Sequence, residues 1–400
     1  MACRVLVVHN AYQHSGGEDT VVESEIRLLR AHGHAVETYA RSNDEVDGML
    51  SLALARQTLW SDRTSHDLAA LVVRFRPDVI HAHNTFPLIS PSLYWAAARA
   101  GVPVVQTLHN FRLMCLNALF LREGRVCEDC MGHLPWRGVA RACYRGSRAA
   151  SAVLTGMLTL HRGLGTYRNK VARYIALNEF CRGKFIEGGL PDGRVVVKPN
   201  FVDFDAPESA PRAGLLFVGR LSTEKGIATL ADAMSLCPDV RLRVAGDGPD
   251  ADLLDGVAGV ARLGSLSGEA VRGEMGRAAA LVVPSIWYEN FPRTIVEAFA
   301  CGLPVIASRI GALADIVRDG ETGLLFKPGD PRDLADKLAW AQANPVRMAE
   351  MGRNARVQYE AEFSAEVNYR RLMEIYAAVL AEQRQVKDAS YKVQGSKEGG

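Results

Sequence analysis

The chain reads as an α/β protein of two Rossmann-like domains, each a parallel sheet wrapped by helices, facing each other across a cleft. Three observations predict this. Short apolar runs alternate with helical patterns in two separate series. A length of 400 residues suits two ordinary domains, each able to bury its own core. Between the series, Pro199, Pro207 and Pro211 interrupt a polar, acid-bearing join over 198–211.

The first domain, residues 1–200, takes its strands from RVLVVH, AVETYA, DVIHAHN, PVVQTLHN, YIALN and RVVVKP, with helical patterns such as 19–31 and 91–99 between them. The second, residues 201–363, repeats the scheme with LLFVGR, VRLRVAG, VARLG, ALVVPS, PVIAS and GLLF, and a helix over 225–236. A further helix is expected over 365–382, within a segment 364–385. The tail 386–400 has no apolar pattern and reads as disordered.

Composition narrows the class. Hydrophobic residues at 48 %, charged residues at 23 % and a net charge of +2 belong to a soluble globular protein. Eight cysteines at scattered spacings are not a disulfide framework. The opening MACRVLVVHN runs directly into a strand rather than an export signal. No stretch reaches the ~18 apolar residues of a spanning helix. The expected location is cytoplasmic, peripheral on the inner face of the cell membrane.

The segment LVVPSIWYENFPRTIVEAFACGLPVIASRIG, from Leu281 to Gly311, carries the most chemistry. A buried strand ends at Pro284, and Asn290 is placed to cap a helix with Pro292 in its first turn. Glu289 then lies on the loop at the strand's carboxyl end, and Glu297 lies in the second turn of the helix. Two carboxylates beside free backbone N–H groups suit a ligand that is both polyhydroxylated and anionic. In GRLSTEKG, Arg220 and Lys225 bracket another strand-to-helix turn, where a guanidinium fork and an ammonium suit a diphosphate.

Gly16 and Gly17 sit between the first strand and helix, where glycine permits positive φ and close backbone approach. They do not form GxGxxG, and no acid follows at the end of the second strand, so a dinucleotide site is a poor reading. His109 follows the strand PVVQTL and should face the cleft, with Arg112 close behind it. His81 and His83 read as structural. Cys115, Cys127, Cys130 and Cys143 form C-x11-C-x2-C-x12-C, a set able to hold a structural zinc or to stay as inert thiols. The segment 137–173, opening on Arg137 and closing on Arg173, holds eight Lys/Arg and no Asp or Glu. Arg141, Arg145 and Arg148 are expected on one helical face. With the apolar run that follows, this suggests an interfacial helix drawn to anionic lipid. No aromatic interleaving points to nucleic acid.

The Glu289–Glu297 spacing and its surroundings resemble the Glu-x7-Glu signature of the retaining GT-B glycosyltransferases of family 4. The resemblance runs from the Gly16 loop to the helix ending near Glu382. It implies a GT-B architecture and transfer of a hexosyl group from a UDP- or GDP-sugar to a lipid-linked or saccharide acceptor in cell-surface polysaccharide or glycolipid synthesis. It further implies that Arg220 and Lys225 neutralise the leaving diphosphate without a metal, and that no cofactor beyond the nucleotide-sugar donor is required. Glu297 would hold the ribose, Glu289 and His109 would touch the donor sugar, and Leu266 would lie by the base. The backbone at Asn290 and Phe291 would lie near the phosphates, and Gly16 and Gly17 would close on the donor or shape the acceptor pocket. Here Pro292 replaces the family's usual glycine and removes one N–H donor. Alternatives are a sugar-nucleotide epimerase, which needs additional acid/base carboxylates in the cleft, and a two-lobed binding protein.

Overall fold

Aliphatic and β-branched runs only a few residues long can be buried on both faces when parallel strands are covered by helices. Two sheets are built this way in the computed structural model, which describes residues 2–13, 16–203 and 211–395. The first comprises β1 (Arg4–Ala11), β2 (Ala35–Ser42), β3 (Val79–Ala82), β4 (Val104–Thr107), β7 (Arg173–Ala176) and β8 (Val195–Val197). A hairpin of β5 (Leu121–Arg122) and β6 (Arg125–Val126) stands apart within the connection from β4 to β7. The second sheet comprises β9 (Leu215–Val218), β10 (Leu242–Ala245), β11 (Val260–Gly264), β12 (Ala280–Val283), β13 (Val305–Ser308) and β14 (Gly323–Phe326).

Strand order is what positions the site. The first sheet runs β2-β1-β3-β4-β7-β8, the second β11-β10-β9-β12-β13-β14, and every pairing in both is parallel. Each chain path starts mid-sheet, winds one way, then returns to the other side of its first strand. The resulting switch points lie between β1 and β3 and between β9 and β12, where crevices open at the strands' carboxyl ends.

Helix Pro345–Glu362 packs on helix Arg293–Ala300 of the second domain. Helix Ala365–Gly395 then returns to the first domain, burying Leu372, Tyr376 and Val379 against Val5, Val7 and Val79. Its length corrects the expected tail: residues 386–395 are helical, and only 396–400 lie outside the described residues. A helix anchored by packing propagates through polar helix-formers without a new nucleation step, so an apolar stripe is not required. Part of the interdomain join, 204–210, with Pro207, also lies outside the described residues.

The expected basic helical face is corrected too. Helix Trp136–Ala140 ends at Arg141, Ala142 and Arg145 adopt φ of 52° and 53°, and Ser147 caps a new helix, Arg148–Gly163. The left-handed residues reverse the chain between Arg141 and Arg148, so the three arginines share no helix face.

Candidate active site between the two sheets

At the second switch point, two loops are joined by backbone. The Ile286 N–H donates to the Glu224 carbonyl at 3.0 Å. Gly226, at φ 73°, lies so close to the β12 loop that a Cβ there would come within 2.0 Å of the Pro284 carbonyl oxygen. Only glycine allows that approach. It delivers Lys225, whose ammonium donates to Glu289 Oε1 at 2.5 Å, while Ser285 Oγ donates to the same oxygen at 2.8 Å. Burial pushes the Glu289 carboxyl up, but Lys225 and the Ser285 hydroxyl outweigh it, and the net shift is downward. Glu289 is therefore a buried, ionised acceptor for hydroxyl or ammonium donors.

Arg220 is exposed at the end of β9, on the same loop as Lys225. Glu297 accepts from Arg293 Nε at 2.9 Å on the helix that follows Glu289, and burial raises its pKa despite that guanidinium. Leu266 follows β11 and lines an open depression of about 520 Å³ with Ser267 and Arg277. Phe291 packs toward Phe363, ring centroids 6.2 Å apart.

Asn290 does not cap its helix; Pro292 occupies that position, and the helix spans Arg293–Ala300. Instead Asn290 Nδ2 donates to the Leu108 carbonyl at 2.8 Å, and its own carbonyl accepts from Asn178 Nδ2 at 2.7 Å. Leu108 and Asn178 end strands of the first sheet, so the carboxyl-end loops of the two sheets meet here. This contact joins the residue before His109 to the residue after Glu289.

Behind His109 lies a buried network that sequence reasoning missed. His109 Nε2 is 2.9 Å from His83 Nδ1, and His83 Nε2 is 3.4 Å from Glu25 Oε1. Glu25 also faces His81 Nδ1 at 2.9 Å and Lys198 Nζ at 2.9 Å. Lys198 in turn donates to Asn368 Oδ1 on the C-terminal helix. Burial opposes ionisation of Glu25, yet Lys198 and His81 hold its carboxyl well below the ordinary range. Burial also pushes His83 down to about 3 and His109 well below its usual value, so both rings are neutral near pH 7. In the His83–His109 contact one ring nitrogen donates and the other accepts, so the two neutral rings hold complementary tautomers. The available signal was Glu25 itself, an acid in the apolar stripe of Val22 and Leu29 on helix Gly17–Ala31.

Gly16 has extended backbone, φ −121°, and does not use the positive φ that glycine permits; its N–H donates to Asp19 Oδ2 at 2.9 Å. A Cβ at Gly16 or Gly17 would meet nothing within 4 Å, so these glycines leave open space rather than relieve strain. Glu18, directly after them, was also missed. It lines a small cavity with His109, Asn84 and Arg112 and accepts from Tyr12 Oη at 2.9 Å. Burial is the main reason its carboxyl is pushed up to about 7.

The four cysteines of the β4–β7 connection line one small cavity with Arg122 and Arg141. All are free thiols. Burial, then the neighbouring thiols, raise the pKa of Cys130 and Cys143. The sulfurs are gathered but not closed to ligand spacing. Among the described residues, the group whose donor atoms lie within 4.8 Å of one another is Glu25, His81 and His83, where Lys198 already supplies the positive charge.

Two doubly wound domains meeting at their strands' carboxyl ends define the GT-B fold. Anabaena HepE in complex with UDP has the same architecture, with a TM-score of 0.66 at 19 % identity, covering 94 % of this chain and 100 % of that one. Family models described as glycosyl transferases group 1 and glycosyltransferase family 4 match residues 203–358 and 15–206. Glycogen synthase of Mycobacterium tuberculosis is 32 % identical over 84 % of this chain and 75 % of its own length. The chain belongs to glycosyltransferase family 4. Phosphatidyl-myo-inositol mannosyltransferase of Mycobacterium leprae is 31 % identical over 57 % of this chain, an alignment that spans 64 % of that relative.

Proposed function

We propose that the protein transfers a hexosyl group, with retention and without a catalytic metal, from a UDP- or GDP-sugar to a lipid-linked or saccharide acceptor of cell-surface polysaccharide or glycolipid synthesis. The observation that carries this reading is the meeting of Lys225 and Glu289 with the His109 loop through Asn290 and Leu108. Transfer builds oxocarbenium character on the sugar and negative charge on the leaving diphosphate. Lys225 and Arg220, held at a strand end beside helix N-termini, stabilise that charge. Glu289 and the imidazole of His109 orient donor hydroxyls, and Glu297 binds the ribose. The leaving phosphate takes the acceptor proton. Among the described residues no helix is long and apolar enough to span a membrane; the basic stretch 137–173 supports a peripheral position on the inner face. The test is nucleotide release from a panel of UDP- and GDP-sugars, with and without acceptor. No release from any donor would overturn the assignment.

Glu18 gives the epimerase alternative its one specific support, since it is an additional carboxyl in the cleft with a pKa near neutrality. The assay separates the two, because an epimerase converts donor with no acceptor present. For the transferase, Glu18 orients the acceptor hydroxyl as a carboxylate. Its ionised form accumulates above about pH 7, so kcat/KM should rise through that pH. Glu18→Gln should flatten the profile; an unchanged inflection in the variant removes the role.

The four cysteines are proposed as ligands of a structural zinc that draws the β5–β6 hairpin and the Cys127–Cys130 turn together. Flanking Arg122 and Arg141 suit the dianion that four thiolates and one zinc make. The expected result is one equivalent of bound zinc by elemental analysis, lost in Cys130→Ser. Metal-free protein with four freely alkylated thiols and unchanged stability would refute the site.

A further inference from the structure

The family reading leaves a sizeable cavity of the first domain without a use. A groove of about 600 Å³ lies between helix Ser51–Leu59 and helix Arg148–Gly163, which pack against each other. Leu54 and Ala55 from one helix and Ala150, Val153 and Leu154 from the other line it with Phe86 and Pro87, beside the polar side chains of Asn43, Thr58 and Asn84. At its rim Leu52 is 83 % exposed, and Leu50 just before it is 80 % exposed. Polyhydroxylated ligands do not call for such walls; alkyl chains do.

The charge distribution is equally selective. Arg112 and Arg145 both line the groove, and among the described residues no carboxylate does. The Arg112 guanidinium lies over the rings of Phe86 and Tyr144 at 4.5 and 5.4 Å, and Arg145 lies 5.6 Å over Tyr144. These aromatic rings hold two guanidiniums at one end of an apolar trough, which suits a phosphate head on a hydrocarbon tail. That end is also the catalytic end. Asn84, Phe86 and Arg112 line both this groove and the small cavity that contains His109 and Glu18.

We propose that the groove between these helices seats the hydrocarbon chain of a phosphorylated membrane lipid, the acceptor, whose phosphate is gripped by Arg112 and Arg145. This rests on the transferase reading for the word acceptor, but the binding itself does not. The exposed Leu50 and Leu52 mark where the chain passes from the bilayer into the groove, and the head is left beside Glu18.

Binding of alkyl phosphates to the full-length protein tests it without any donor. Decyl phosphate, decanol and inorganic phosphate serve as probes by calorimetry, below micellar concentration. Decyl phosphate should bind at least tenfold more tightly than either fragment. Each methylene removed from the chain should weaken it about fourfold, from the ~0.8 kcal/mol per buried methylene. Val153→Trp should abolish the chain-length dependence while UDP binding stays unchanged. Arg145→Gln, at an exposed position, should reduce the preference for decyl phosphate over decanol about tenfold. Equal binding of inorganic phosphate and decyl phosphate, no binding of either, or chain dependence that survives Val153→Trp would each overturn the proposal. Absence of nucleotide release with any donor, alongside normal decyl phosphate binding, would instead fault the transferase reading.

Discussion

Lys225→Ala is expected to lower kcat by about 10²–10³-fold, the cost of removing one preorganised group from a developing anion. Two effects coincide at this position. On the proposed mechanism the leaving diphosphate loses its point charge, and Glu289 loses the partner whose ammonium lies 2.5 Å away. With Lys225 gone, burial acts on Glu289 with only the Ser285 and Trp287 side chains against it, so its pKa rises. The variant's activity should therefore also fall more steeply than that of the wild type as the pH drops. Lys225→Arg keeps the charge but replaces a compact ammonium with a planar fork, and should recover only part of the loss. Steady-state nucleotide release measures all three. Wild-type turnover in Lys225→Ala would remove the diphosphate role, and Glu297→Ala applies the same test to the ribose contact.

The second large effect concerns stability. Lys198 is 1 % exposed and pairs with the buried Glu25 at 2.9 Å. Lys198→Met leaves that carboxylate without its ammonium and should cost about 3–5 kcal/mol in urea unfolding. Pairing it with Glu25→Leu should recover most of the loss, because an apolar pair of similar volume needs no compensation. The pH dependence has a defined sign. Glu25 is held below its ordinary value in the fold, so its contribution is complete above about pH 4.3 and fades as the pH falls toward the folded-state value. The single variant should also impair catalysis, since Glu25 lies directly behind His83, the ring that His109 contacts. A Lys198→Met protein as stable as the wild type would show that the pair is dispensable.

How much could be read in advance varied with distance along the chain. The strands around PVVQTL and ALVVPS were legible because burial on both faces writes a continuous apolar run into a few consecutive residues. Glu289, Lys225 and His109 were legible as strand-end residues for the same local reason. Asn290 was misread. As a capping residue before a helix it fits local rules, but its side chain serves the other domain, and Pro292 takes the cap. The basic stretch was misread because helical periodicity does not register that Ala142 and Arg145 turn left-handed. Glu18 carried no signal in the sequence, since burial, the main cause of its raised pKa, exists only in the fold.

The sequence by itself determined the two α/β series, the helices between their strands and the residue types waiting at the strand ends, because each depends on near neighbours and a short period. Tertiary structure alone decided the order of strands, and with it which loops border each switch point. It brought Lys225 to Glu289 across 64 positions, Lys198 to Glu25 across 173 and Asn290 to Leu108 across 182. Contacts at such separations have no periodic trace in a single chain: they exist only once both sheets have formed and burial makes an unpaired charge or amide too costly to leave.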